Sequence, residues 1–287
     1  MRLLLTQSYY GVRLALSGFR YSVILFGAIL IKNMKDIQRA GDLKMATIRF
    51  DKVTKKYGDT VALNAFSHSF LENSVNVIIG KSGSGKSTLL QLLMGIQRPT
   101  SGTIFAFDQA IKYDDLIQHR RKFGYAVQGA GLFPHLRILE NIMLPARMCE
   151  WPEAKMCNRA RELLALVELP REYERRYPHE LSGGEQQRVG LCRAMMLDPA
   201  VYLFDEPFGA LDPMTKAEIQ DEVLRIQKRE PRTIILITHD FNEAVKMGDS
   251  ILILENGMLA ESGSRDNLIK NARSGLMQHL IQSNRMP

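Results

Sequence analysis

The run "GKSGSGKST" (Gly80–Thr88) restricts the possible folds of this chain more than any other stretch. It sets three glycines, two lysines and four hydroxyl side chains between the apolar run "VNVII" (Val75–Ile79) and "STLLQLLMGI" (Ser87–Ile96), whose apolar spacing predicts a helix. Glycine and serine also suit an ordinary surface turn. The alternative is a phosphate cradle. There glycines let successive backbone N–H groups point inward, a helix N-terminus adds its dipole, and a lysine neutralises the anion. The match to G-x-x-x-x-G-K-[ST] at Gly80, Gly85, Lys86 and Ser87, between a strand and a helix, favours the cradle. On that reading Gly80, Lys81, Ser82, Gly83, Ser84, Gly85, Lys86, Ser87 and Thr88 wrap a triphosphate. Lys86 reaches its outer phosphates and Ser87 places its hydroxyl on Mg2+.

The remaining pattern supplies a scaffold for such a loop. "VYLF" (Val201–Phe204) and "TIILIT" (Thr233–Thr238) are near-continuous apolar runs, expected of parallel strands covered on both faces. They lead into Asp205 and His239, at the carboxyl ends where open α/β sheets hold ligands. Asp205 suits a carboxylate holding hydrated Mg2+. Its neighbour Glu206 is placed to accept a proton from an attacking water, a role worth roughly 10²–10⁴-fold in rate. The plainer alternative is that both acids cap the turn "PFGALDP". Between Ala46 and about Lys112, "TIRF", "FSHSF" and "GTIFAF" predict an antiparallel sheet. Between Gln128 and Leu181 no strand run is visible. "RARELLALVEL" (Arg159–Leu169) there aligns Ala160, Leu163, Leu164 and Val167 on one helical face before Pro170. This region reads as an inserted helical subdomain, and the chain after about Asp266 reads as helical.

The net charge of +7 raises the possibility of a nucleic-acid partner, but its distribution argues against one. Residues 1–44 carry seven Lys/Arg and two acids, so only +2 is left for the other 243 residues. Within that leader, "YSVILFGAILI" (Tyr21–Ile31) is eleven residues long, about half of a bilayer span of ~20 residues. It reads as a non-spanning extension at a membrane surface, or as sequence ahead of a true start at Met45. Cys149, Cys157 and Cys192 show no C-x-x-C spacing and read as reduced thiols of a cytoplasmic protein.

"LSGGEQQR" (Leu181–Arg188) discriminates best. Ser182 and Glu185 form an S-x-x-E capping box opening a helix, "EQQRVGLCRAMML". Capping does not need Gly183 and Gly184, which would bare helix N-terminal amides to an anion. With this string the chain resembles the ATP-binding-cassette (ABC) transporter ATPase subunits, from about Ala46 to at least Asn267. The resemblance implies an α/β P-loop NTPase of ABC type: a mixed-sheet core, an antiparallel β subdomain and an inserted helical subdomain at about 129–192, all within a domain 45–287. It further implies ATP and Mg2+ as ligands, hydrolysis, and a dimer in which Ser182, Gly183 and Gly184 contact the other subunit's γ-phosphate. Gln128, ending "GYAVQ", matches the glutamine that senses Mg2+ and links to a permease. His239 in "THD" matches the histidine on the γ-phosphate. Asp212 in "GALD" matches a dimer-crossing loop, although Gly209 stands where many relatives have Ser. Tyr57 in "KKYGD" matches the aromatic that stacks on adenine.

Lys86 and Ser182 are only 96 positions apart, too close for the long coiled coil of chromosome-maintenance relatives. A single cassette without a fused transmembrane domain points to a separate importer subunit. "GYAVQGAGLFPHLRILENIMLP" and "DEPFGALDPMTKAEIQDEVLRIQ" resemble ATPases of quaternary-amine (glycine betaine, choline, carnitine) osmoprotectant importers. The partners implied are a second ATPase subunit in a homodimer, permease subunits docking around Gln128–Leu144, and, indirectly, a solute-binding protein. The implied location is cytoplasmic, on the inner face of the membrane, and the charge distribution predicts no nucleic-acid partner. Many such ATPases also carry a C-terminal regulatory domain, for which the roughly twenty residues after Asp266 read as too short. Two alternatives remain: an importer of another solute (amino acid, sulfonate, nitrate), and a soluble ABC ATPase without a transport role.

Overall fold

The structure is a computed structural model that describes residues 48–271 together with residues 274, 275 and 278. The Tyr21–Ile31 run and the Met45 start lie outside the described residues. The core is a six-stranded sheet in the order β10-β9-β3-β8-β7-β6. Its strands are β3 (Val75–Ile79), β6 (Phe123–Ala126), β7 (Val201–Asp205), β8 (Thr233–Thr238), β9 (Ser250–Glu255) and β10 (Met258–Ser264). The inner pairings are parallel, and β10 runs antiparallel to β9, so the sheet is mixed.

Every residue of β3, β7 and β8 is buried, which is why these runs are mostly apolar, with Asn76, Asp205, Thr233 and Thr238 as buried polar exceptions. Alternation then divides their side chains between two cores. Ile78, Leu203, Ile235 and Ile237 pack on one face with α1 (Lys86–Leu93). That face is closed by an antiparallel sheet of β1 (Ile48–Tyr57), β2 (Thr60–Ser69), β4 (Ser101–Ala106) and β5 (Gln109–Ala110), with a short α2 (Leu116–Arg120) following. Phe50 and Phe66 meet edge-on there, with ring centroids 5.5 Å apart. Val77, Tyr202, Phe204 and Leu236 face the other core, with the helical insertion.

That insertion comprises α3 (Ile138–Met148), α4 (Glu153–Leu166), two 3₁₀ turns and α5 (Gly183–Met195). Ala160, Leu163, Leu164 and Val167 are all buried, as their spacing predicts, and the helix stops ahead of Pro170. Helices α6 (Pro213–Arg229), α7 (Phe241–Met247) and α8 (Arg265–Lys270) complete the described chain. Sequence reading passed over three strands. β6 is four residues long and contains Gly124. β9 and β10 follow a helix too short to punctuate the pattern. Among the described residues no helix is long and apolar enough to cross a membrane. The three cysteines are free, with Cys192 buried.

Candidate active site

The strand-to-helix turn after β3 builds the cradle. Gly83 (φ 77°) and Gly85 (φ 101°) are left-handed, a region that glycine enters freely. A Cβ on Gly85 would lie 2.4 Å from the Ala62 carbonyl oxygen, whereas one on Gly83 would meet nothing within 4 Å. Gly85 serves close packing, and Gly83 leaves open space. Lys86 is buried, its Nζ donating to the carbonyls of Gly80 (2.8 Å) and Lys81 (2.9 Å). Burial lowers its pKa, against the raising effect of Glu206 and Asp205. The ammonium is therefore held, desolvated, beneath the loop.

Asp205, the last residue of β7, is buried, and burial raises its pKa while a hydrogen bond from Ser87 and the nearby Lys86 oppose the rise. Ser87 and Asp205 are hard oxygen donors beside an under-compensated carboxylate, and this set fits Mg2+. Among the described residues the buried Ser84 hydroxyl has no hydrogen-bond partner, and the loop's open side would receive phosphate oxygens, so the cradle fits a triphosphate.

Glu206 has φ 50°, a left-handed angle that swings its side chain away from the strand's alternation. Its Oε2 accepts from Gln128 Nε2 at 3.2 Å, and its Oε1 lies 3.3 Å from His239 Nδ1. Gln128, Glu206 and His239, from the ends of three strands, thus line one cavity of about 450 Å3 with Ser82, Gly83, Gly85, Lys86, Ser87 and Thr88. Ala62, on β2, also lines it. No local pattern marks that alanine, because the packing of the antiparallel sheet against the loop puts it there.

Ser182, Gly183 and Gly184 do not line this cavity. Ser182 caps α5: its N–H donates to Glu185 Oε2 (2.7 Å), and its Oγ accepts from the Glu185 N–H (3.3 Å). Tyr173 donates to Glu185 Oε1 (2.7 Å), a support that no local spacing announces. The two glycines differ. A Cβ on Gly184 would lie 3.0 Å from the Ala210 carbonyl, so this glycine is needed for packing. Gly183 has only Ala210 Cβ at 3.8 Å and faces solvent. Gln187, another residue that sequence reading missed, accepts from the Ala210 N–H at 2.8 Å and joins α5 to the turn after Glu206. Asp212 caps α6 through the Thr215 N–H (3.1 Å). Tyr57 ends β1, 42% exposed, with Lys55 Nζ 4.7 Å above its ring, and does not line the cavity.

Comparison with known proteins agrees with this geometry. The ABC transporter family profile matches residues 63–209. The chain is 40% identical over 240 residues to a glycine betaine/carnitine/choline transport ATP-binding protein of Bacillus subtilis, covering 83% of this chain and 63% of that protein. It is 42% identical over 217 residues to a glycine betaine uptake system ATP-binding protein of Escherichia coli, covering 76% of this chain and 70% of that one. The chain thus spans somewhat under two thirds of the length of the Bacillus relative. Among solved structures, the dimeric structure of a bacterial ABC transporter cassette superposes with a TM-score of 0.72 at 32% identity, covering 76% of this chain and 98% of that one. A post-hydrolysis structure bound to ADP and phosphate gives a TM-score of 0.71 at 31% identity, with the same coverage of both chains. By sequence and by fold, this chain belongs to the ABC transporter family.

Proposed function

We propose that the chain is the ATP-hydrolysing subunit of an importer that takes up a small quaternary-amine osmoprotectant of the glycine betaine, choline or carnitine type. The observation that carries the catalytic part is the convergence of Lys86, Ser87, Gln128, Glu206 and His239 on one cavity from four separate segments. The solute class rests on what the similar transport proteins are named for.

In this reading the loop Gly80–Thr88 binds the phosphates through backbone N–H groups, and Lys86 takes up their charge. Mg2+, held by Ser87 and Asp205 with Gln128 nearby, would supply electrostatic stabilisation of the phosphate oxygens. Glu206 is steadied between Gln128 and His239. It accepts a proton as a water oxygen attacks the γ-phosphorus and the bond to the bridging oxygen breaks, leaving ADP with the electron pair. His239, whose side chain is largely exposed, faces the departing phosphoryl group. The outward-facing Gly183 and the Ser182 cap complete the site of a second copy, making a homodimer with two shared sites. The loop after Gln128, with Phe133 43% exposed, offers the docking groove for permease subunits at the inner face of the membrane. Buried Asn141 holds that loop through the Phe133 backbone N–H and the carbonyls of Phe133 and Leu136.

The test is ATP turnover by wild type and Glu206→Gln. The variant is expected to bind ATP, dimerise in its presence, and turn over about 10²–10⁴-fold more slowly. Turnover within twofold of wild type would remove Glu206 from the mechanism.

A further inference from the structure

Directly after Gln128 the backbone passes through three consecutive left-handed residues: Gly129 (φ 74°), Ala130 (φ 61°) and Gly131 (φ 53°). Glycine tolerates such angles, whereas alanine occupies them only where its surroundings impose them. The surroundings here are one face of α5. Arg193, in the last turn of that helix, donates from Nη2 to the Ala130 carbonyl and from Nη1 to the Gly131 carbonyl, both at 2.8 Å. One turn earlier, Gly190 lets the same backbone approach, since a Cβ there would lie 3.2 Å from both Ala130 Cα and the Ala130 carbonyl oxygen. Among the described residues Arg193 forms no ion pair with a carboxylate, and burial lowers its pKa. A desolvated guanidinium satisfied by neutral carbonyls is a costly arrangement for a residue that merely decorates a helix end. Its planar fork is, however, suited to gripping two oxygens at a fixed angle.

We propose that Arg193 is a positioning residue for Gln128: by clamping the carbonyls of the left-handed turn, it fixes the backbone from which the Gln128 amide reaches Glu206. The link to turnover rests on the ATPase reading above, but the clamp itself does not. Helix α5 thereby touches both elements at once. Its N-terminus carries the Ser182 cap, and about 16 Å along its axis its last turn holds the Gln128 loop. Displacement of the helix carries the glutamine with it.

The test uses the full chain in two arms. The first is amide hydrogen exchange of residues 129–132 without nucleotide. Arg193→Ala is expected to raise exchange there at least about tenfold while β3 amides stay within twofold. The second is ATP turnover in a cycle of wild type, Arg193→Ala, Gln128→Ala and the double variant. Arg193→Ala is expected to slow turnover about 10-fold or more, yet to cost less than about twofold once Gln128 is already alanine. Unchanged exchange at 129–132 overturns the clamp, and equal losses of turnover in both backgrounds overturn its action through Gln128. Arg193→Lys keeps the charge and the stem but not the fork, and is expected to leave exchange raised. It carries the first arm if the alanine variant does not fold, and wild-type protection in the lysine variant overturns the fork. Absence of turnover in the wild type would remove the ATPase reading, while the exchange arm still decides the clamp.

Discussion

Two helix N-termini in this molecule are built from glycine and serine, and they are finished to different degrees. The loop leading into α1 is completed by its own chain: Lys86 lies beneath it, Asp205 beside it, and Glu206 and His239 opposite. The loop leading into α5 is capped by Ser182 and Glu185 but faces solvent at Ser182 and Gly183. In the function proposed above, the first is a site and the second is half of one. Similar composition therefore says little about whether a glycine-rich turn acts alone. The buried charge around it is the better guide.

That contrast can be broken most forcefully at Gly183. Gly183→Asp adds a carboxylate at an open position in the first turn of a helix, so folding is expected to be unharmed. Nucleotide affinity of the isolated chain, read by fluorescence titration, should stay within about twofold. Turnover should drop about 100-fold or more, because the new charge would oppose the other copy's γ-phosphate. Unchanged turnover would mean that the α5 N-terminus serves only as a cap. Next comes Lys86→Ala, which removes charge-assisted contacts of about 1.5–3 kcal/mol and should weaken ATP binding about 10- to 100-fold in the same titration. Undiminished affinity would show that the first loop does not use its lysine.

A smaller effect separates the glycines by purpose. Gly85→Ala forces a left-handed angle and a clash with Ala62, so thermal unfolding should report a loss of about 1–3 kcal/mol. Gly183→Ala should change stability by no more than about 0.5 kcal/mol. Equal losses would erase the distinction between a packing glycine and an access glycine. The smallest effect lies away from both loops. Burial lowers the pKa of His68, on β2, to about 4, and among the described residues its Nε2 has no hydrogen-bond partner. The unfolded chain takes up that proton near pH 6.5 and the folded chain only near 4, so stability is lost as pH falls through this window. After allowance for partial exposure, the cost is about 1–2 kcal/mol. Melting temperatures between pH 7 and 4 should fall less steeply in His68→Leu than in wild type, and parallel curves would exclude His68 as the cause.

How much of this was legible in the sequence follows from where each contact lies. The cradle is nine consecutive residues between a strand and a helix, so local pattern suffices. Asp205, Glu206 and His239 were readable because buried strands are near-continuous apolar runs, and the charged or titratable residues that follow the run mark the ligand end. The Ser182–Glu185 box was readable from three-residue spacing. Ala62, Gln187 and Arg193 were not. Each meets its partner across a long stretch of chain, and Arg193 grips carbonyl oxygens, which leave no mark on side-chain composition. Strand β6 escaped notice because four residues around a glycine carry too little alternation to register.

Strand β6 has a mechanical consequence. Lys86, Glu206 and His239 follow β3, β7 and β8, each hydrogen-bonded to neighbours on both sides, so a pull on any of them is resisted by two ladders. Gln128 follows β6, which closes the order of the sheet and, among the described residues, is paired in the sheet with β7 alone, over four residue pairs. Ladder support is thus distributed unevenly around the cavity, with three groups on doubly paired strands and the fourth on a singly paired one, held on its other side by the Arg193 contacts of α5. A load applied from outside the domain would be taken up first as travel of that glutamine.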